Sequence, residues 1–91
     1  MKYRKKPIVI DAFKYELKNM HPDKSAMPIW VLHALQNGDI KAAANNRMSI
    51  ETKEGVMTVS EGDWIIRGVA GELYPCKPDI FAATYDEVVG D

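Results

Sequence analysis

Residues 62–75 read Gly62-Asp63-Trp64-Ile65-Ile66-Arg67-Gly68-Val69-Ala70-Gly71-Glu72-Leu73-Tyr74-Pro75, and this stretch decides the fold class. β-Branched and aromatic residues flank a loop with a glycine at each end, the pattern of a β-hairpin. The reading gives a strand over Trp64–Arg67, a four-residue loop over Gly68–Gly71 and a returning strand over Glu72–Pro75. That pairing sets Arg67 opposite Glu72 and Ile65 opposite Tyr74, with cross-strand neighbours about 4.5–5.5 Å apart. One face then presents Ile65, Arg67, Glu72 and Tyr74. The other presents Trp64, Ile66, Leu73 and Pro75, and is the natural core face.

The chain upstream of the hairpin adds strands and one helix. Residues 39–59 read as a β-meander: Ile40–Ala44 and Met48–Thr52 around a turn at Asn45-Asn46, then Val56–Val59 after a short loop at Lys53-Glu54-Gly55. Residues 7–15 form a further strand, with Ile8, Ile10 and Ala12 on one face and Val9, Phe13 and Tyr15 on the other. Apolar groups on both faces place it inside a sheet. Residues 16–26 are polar, contain His21-Pro22-Asp23, and read as a loop.

The helix spans 28–37. Pro28 suits its first position and Gly38 its left-handed stop. Trp30, Val31, Ala34 and Leu35 form its main stripe, extended by Met27. Ile29 and Leu32 fall off that stripe and form a second apolar patch, suited to a partner subunit or another part of the fold. Downstream, Pro78 opens a short helical turn through Phe81 and Ala83, and Thr84–Val88 is expected to return as an edge strand. The expected architecture is α+β: one domain over 1–91, with an antiparallel, meander-like sheet of five to seven strands, the 64–75 hairpin central, and one main helix on the sheet.

Bulk properties narrow the function classes. The chain has 91 residues, 46% hydrophobic and 27% charged, with net charge −1. That composition is globular, and its charge balance gives no reason to expect nucleic-acid binding. A domain this small buries a modest share of its surface, and one cysteine allows no internal disulfide. Self-association as a homo-oligomer, through the face with Ile29 and Leu32, is expected on that ground. No signal peptide and no membrane-length apolar run is expected, so the reading is cytoplasmic. Charge is uneven: Lys2, Arg4, Lys5 and Lys6 crowd the start, and Asp79, Asp86, Glu87 and Asp91 the end. The plain reading is two solvated ends, adjacent in one sheet; the sharper one is a phosphate-binding arm.

Residues 62–81, continuing after Pro75 as Cys76-Lys77-Pro78-Asp79-Ile80-Phe81, resemble a family of small tailed-phage and prophage proteins related to the PGDYG-type phage domains. The opening Lys2-Tyr3-Arg4-Lys5-Lys6-Pro7 before an Ile/Val-rich strand is similar, as is the helix entry at Met27-Pro28 and Trp30. The resemblance spans nearly the whole chain. It departs from the PGDYG pattern in Ser60-Glu61 before the glycine and in Trp64 where the family has tyrosine. It implies a phage or prophage origin and carries over no catalytic residue.

The candidate ligand-binding residues are Arg67, Glu72, Tyr74 and Lys77. They set a cation, an anion, a phenol and a second cation around a two-glycine loop. Arg67 and Lys77 would recognise the charge of a small anionic or nucleotide-like ligand, since the guanidinium fork suits phosphate, and Tyr74 would stack. The competing structural reading is a solvated Arg67–Glu72 ion pair contributing about 0–1 kcal/mol.

Cys76 reads as a small buried hydrophobe, because a nucleophile needs a nearby base or cation to lower its pKa and His21 and His33 cannot be placed beside it. His33 reads as a solvated or interface histidine. The histidines and Cys76, spaced by 12 and 43 residues, match no zinc pattern. Asp11, Asp63 and Asp79 read as strand, turn and helix-start residues, and Trp30 and Trp64 as core. No metal, cofactor or catalytic residue is expected. The functions left are a non-enzymatic small-ligand binder with a counter-defence role, a module that binds a host or phage protein, and, least supported, an enzyme.

Overall fold

The structure is a computed structural model and describes residues 1–4, 6–20 and 27–89. Lys5, His21–Ala26, Gly90 and Asp91 fall outside the described residues, and with them much of the expected 16–26 loop. Two three-stranded antiparallel sheets form. The first has β1 (Asp11–Lys14), β5 (Trp64–Arg67) and β6 (Leu73–Cys76) in the order β1-β5-β6. The second has β2 (Ile40–Ala42), β3 (Met48–Thr52) and β4 (Gly55–Val59) in sequence order. Among the described residues there are also two helices, α1 (Ile29–Asn37) and α2 (Pro78–Thr84), and a 3-10 turn at Leu17–Asn19.

The α+β class holds, but two sheets replace the single meander and a second helix joins the first. The expected edge strand at Thr84–Val88 does not form: Thr84 ends α2, and residues 85–88 carry no regular structure. Asn45 and Asn46 both sit in the left-handed region, at φ 59° and 60°, and turn the chain from β2 to β3. Their short polar side chains tolerate that conformation better than most.

The β5–β6 hairpin is paired one residue away from the expected register. Arg67 lies opposite Leu73, Ile66 opposite Tyr74, Ile65 opposite Pro75 and Trp64 opposite Cys76. The turn is the cause. Gly71 donates to the Gly68 carbonyl at 3.0 Å, and Gly68 donates to that of Glu72 at 2.8 Å. Gly71 takes φ 83°, so the loop is a turn followed by a left-handed glycine, with three residues, Val69 to Gly71, between the hydrogen-bonded Gly68 and Glu72. A one-residue slip exchanges the faces of every side chain on the returning strand. Ile65, Arg67, Leu73 and Pro75 therefore share one face, and Trp64, Ile66, Tyr74 and Cys76 the other.

The first of these faces meets the core. Phe13, Ile65 and Leu73 cluster with Ile40, Met48, Ile50 and Val59 of the second sheet and with Met27, Val31 and Ala34. β6 packs directly against β3 and β4. The second face is covered by α2. Phe81 stacks on Trp64 with ring centroids 4.0 Å apart and planes 9° from parallel, and Tyr85 follows at 5.1 Å. Coverage on both sides reaches only the later part of residues 7–15: Phe13 and Tyr15 are buried, whereas Ile8 and Val9 are more than half exposed. Nor do residues 7–15 lie inside a sheet: the paired strand starts only at Asp11 and is an end strand.

Helix α1 starts one residue later than expected, with Pro28 at the N-cap instead of the first helical position, and it stops on Gly38, left-handed at φ 87° as expected. Its expected second patch is divided. Leu32 packs against the core, whereas Ile29 is 65% exposed, so the pair does not form a free face.

Candidate functional site

The four residues singled out from sequence are distributed over separate structures. Arg67 donates twice to Asp11, from Nη2 at 2.7 Å and Nε at 3.2 Å, both to Oδ2. Its guanidinium also lies 5.4 Å from the centroid of the Trp30 ring. It faces Asp11 across the β1–β5 pair, so the expected ion pair with Glu72 is replaced by one with Asp11. A shallow hollow of about 440 Å³ opens beside it, lined by Asp11, Val9, Val69 and the turn glycines.

Glu72 closes the turn. Its carboxylate accepts from the Ala70 amide at 3.1 Å and lies directly over Gly68, where no Cβ would fit without moving it. Tyr74 is on the opposite sheet face from Arg67, with its hydroxyl 3.4 Å from that of Tyr85. Burial, then the hydrogen bond with Tyr85, then nearby charge including Glu72, hold its phenol well above the ordinary range. Glu72 and Tyr74 line a second hollow of about 460 Å³ with Lys53, Met57 and Pro75.

Lys77 precedes α2 and reaches back to Asp63, Nζ to Oδ2 at 3.0 Å. Asp63 is buried, 4% exposed, and its Oδ2 also accepts from the Ser60 amide at 2.9 Å. Its backbone carbonyl accepts from the Tyr15 amide at 2.8 Å, and Gly62 donates to the Tyr15 carbonyl. The Gly62-Asp63-Trp64 segment thus ties β1 to β5. Cys76 is half-buried, and burial, followed by the charges of Asp79 and Asp63, raises its thiol pKa. That direction disfavours the thiolate. His33 is exposed, and His21 lies outside the described residues. Among the described residues no three of His, Cys, Asp and Glu group as metal ligands.

A different surface brings chemistry together. A groove of about 780 Å³ runs along the end strand β1. Trp64, Phe81 and Tyr85 give it an aromatic lining; Ile8–Ile10 lie along it from one end of the chain, and Asp86–Val88 from the other. Ile8, Val9 and Val88 are each more than half exposed. Among the described residues no ion pair engages Asp86 or Glu87. Sequence reasoning passed over this groove because Phe81 was assigned to a short turn and Trp64 to the core. The available signal is the spacing of Phe81 and Tyr85, four residues apart, with Tyr85 just past the end of α2.

No protein family, curated protein or solved structure matches the chain. Among the described residues no helix is long and apolar enough to cross a membrane.

Proposed function

We propose that this chain is a non-enzymatic accessory module of a phage or prophage that binds an extended stretch of polypeptide in the groove over Trp64, Phe81 and Tyr85. The groove carries the reading. It combines an aromatic lining, an adjoining end strand and exposed aliphatic flanks. An end strand offers backbone donors and acceptors to an added strand, and the pockets beside it select side chains. Asp86 and Glu87 favour a partner that alternates apolar and basic residues. The phage assignment rests on the resemblance of residues 62–81.

Fluorescence anisotropy with labelled ten-residue peptides tests this. Peptides alternating Ile or Val with Lys should bind the full chain, and the same peptides with Glu for Lys should not. Phe81→Ala should weaken binding at least about tenfold, the loss of about 1.4 kcal/mol. Equal affinity for basic and acidic peptides, or none for either, overturns the proposal.

A small anionic ligand remains a second reading, favoured by one observation: Arg67 is oriented by Asp11 and Trp30 yet its side chain is 40% exposed beside the hollow at the turn. Asp11 already neutralises that cation, and Glu72, Tyr74 and Lys77 do not join it. On this reading Asp11→Asn should tighten the binding of inorganic phosphate and Arg67→Ala abolish it; calorimetry showing no phosphate binding to Asp11→Asn would end it.

A further inference from the structure

We infer that the polypeptide received by the groove is the basic N-terminal segment of a second copy of this chain. The inference rests on the groove-binding reading above and names its partner. Two sets of charges point to it. Lys2, Arg4 and Lys6 are exposed, and among the described residues none of them makes an ion pair. Asp86 and Glu87, on the groove, are exposed and likewise unpaired. Among the described residues the segment is basic and the Asp86–Glu87 end of the groove is acidic, while Lys14 lines another part of the groove.

The apolar groups agree with the charges. Residues 7–10, Pro-Ile-Val-Ile, are strand-forming in composition, yet pairing starts only at Asp11. Ile8 is 53% exposed and Val9 71%. Pro7 fixes its own φ and disfavours a helical conformation at Lys6, so residues 6–7 are held out of a helix. Among the described residues, the one hydrogen bond of residues 1–4 stays inside the segment, from the Tyr3 hydroxyl to Met1 Sδ at 3.9 Å. Because the base of the segment lines the groove of its own copy, two copies can exchange segments about a twofold axis. Each then places basic residues against the other's Asp86 and Glu87 and covers the exposed Ile8, Val9 and Val88. Such an exchange is self-complementary and closes at two copies.

Charge reversal tests this with full-length chains. One variant carries Lys2→Glu, Arg4→Glu and Lys6→Glu; the other carries Asp86→Lys and Glu87→Lys. By sedimentation equilibrium the wild type should dimerise, and less so as salt rises. Each variant alone should dimerise about a hundredfold more weakly, since juxtaposed like charges oppose association. An equimolar mixture of the two should recover a 1:1 dimer, because both contacts are again complementary. Circular dichroism checks that both variants fold. A monomeric wild type overturns the inference; if peptides of the basic, apolar kind still bind, the groove serves a foreign partner and the binding reading survives alone. Variants that dimerise as tightly as wild type, or a mixture of folded variants that stays monomeric, also overturn it.

Discussion

Replacing Asp63 by alanine should destabilise the fold by about 2–3 kcal/mol, although Asp63 sits in a surface turn. The carboxylate is buried and holds two donors, the Ser60 amide at 2.9 Å and Lys77 Nζ at 3.0 Å. A hydrogen bond to a charged group contributes about 1.5–3 kcal/mol, and Ser60, being half-buried, falls in the lower part of that range. The Lys77 side chain is 61% exposed, so solvent screens that pair to at most about 1 kcal/mol. For a domain of this size each kcal/mol moves Tm by about 4–8 °C, which gives a fall of about 8–24 °C. Thermal and urea denaturation of Asp63→Ala followed by circular dichroism measure it. Lys77→Met is the control and should cost no more than about 1 kcal/mol, because it leaves the Ser60 bond in place. An Asp63→Ala variant within about 0.5 kcal/mol of wild type, the range of neutral surface changes, would refute the reasoning. So would a Lys77→Met variant as damaging as Asp63→Ala.

The other consequences follow the same geometry. Phe81→Ala removes the stack on Trp64 and should cost about 1–3 kcal/mol, with hydrogen exchange of the α2 amides rising more than that of β5. Gly68→Ala should cost about 1 kcal/mol by displacing the Glu72 carboxylate from the Ala70 amide, and adding it to a Glu72→Ala background should cost much less, which a double-mutant cycle by denaturation reads. Tyr15 and Tyr74 carry raised phenol pKa values, and Cys76 a raised thiol pKa. Between the unfolded and folded values the unfolded chain has lost protons that the folded chain keeps, so stability should fall as pH climbs past about 9–10. Tyr74→Phe should flatten that decline in urea titrations run across the alkaline range.

Local signals carried much of the fold. Pro28 and Gly38 marked α1, and the Asn45-Asn46 turn marked the β2–β3 hairpin. Trp64–Arg67 was legible as a strand from its side chains alone. What was not legible depends on one backbone choice and on distant pairing. Whether Gly68–Gly71 forms a four-residue loop or a three-residue loop with Gly71 left-handed is a small local difference. It nevertheless exchanges the faces that Leu73 and Tyr74 take and separates Tyr74 from Arg67. Arg67 finds Asp11, 56 positions away, because β1 returns to pair with β5. No spacing rule reveals such a partner. Asp63 was read as a turn residue, which holds, but its bond to Lys77 withdraws that cation from the proposed ligand surface.

In the exchange proposed above, the groove over Trp64 and Phe81 holds an extended segment from another copy. Isotope-filtered NOE spectroscopy on an equimolar mixture of labelled and unlabelled full-length chain reads this directly. The predicted result is intermolecular NOEs from the rings and methyls of Tyr3, Ile8 and Val9 to Phe81, Tyr85 and Val88. NOEs from those residues confined to their own chain, or intermolecular NOEs centred on Ile29 of α1, would contradict it.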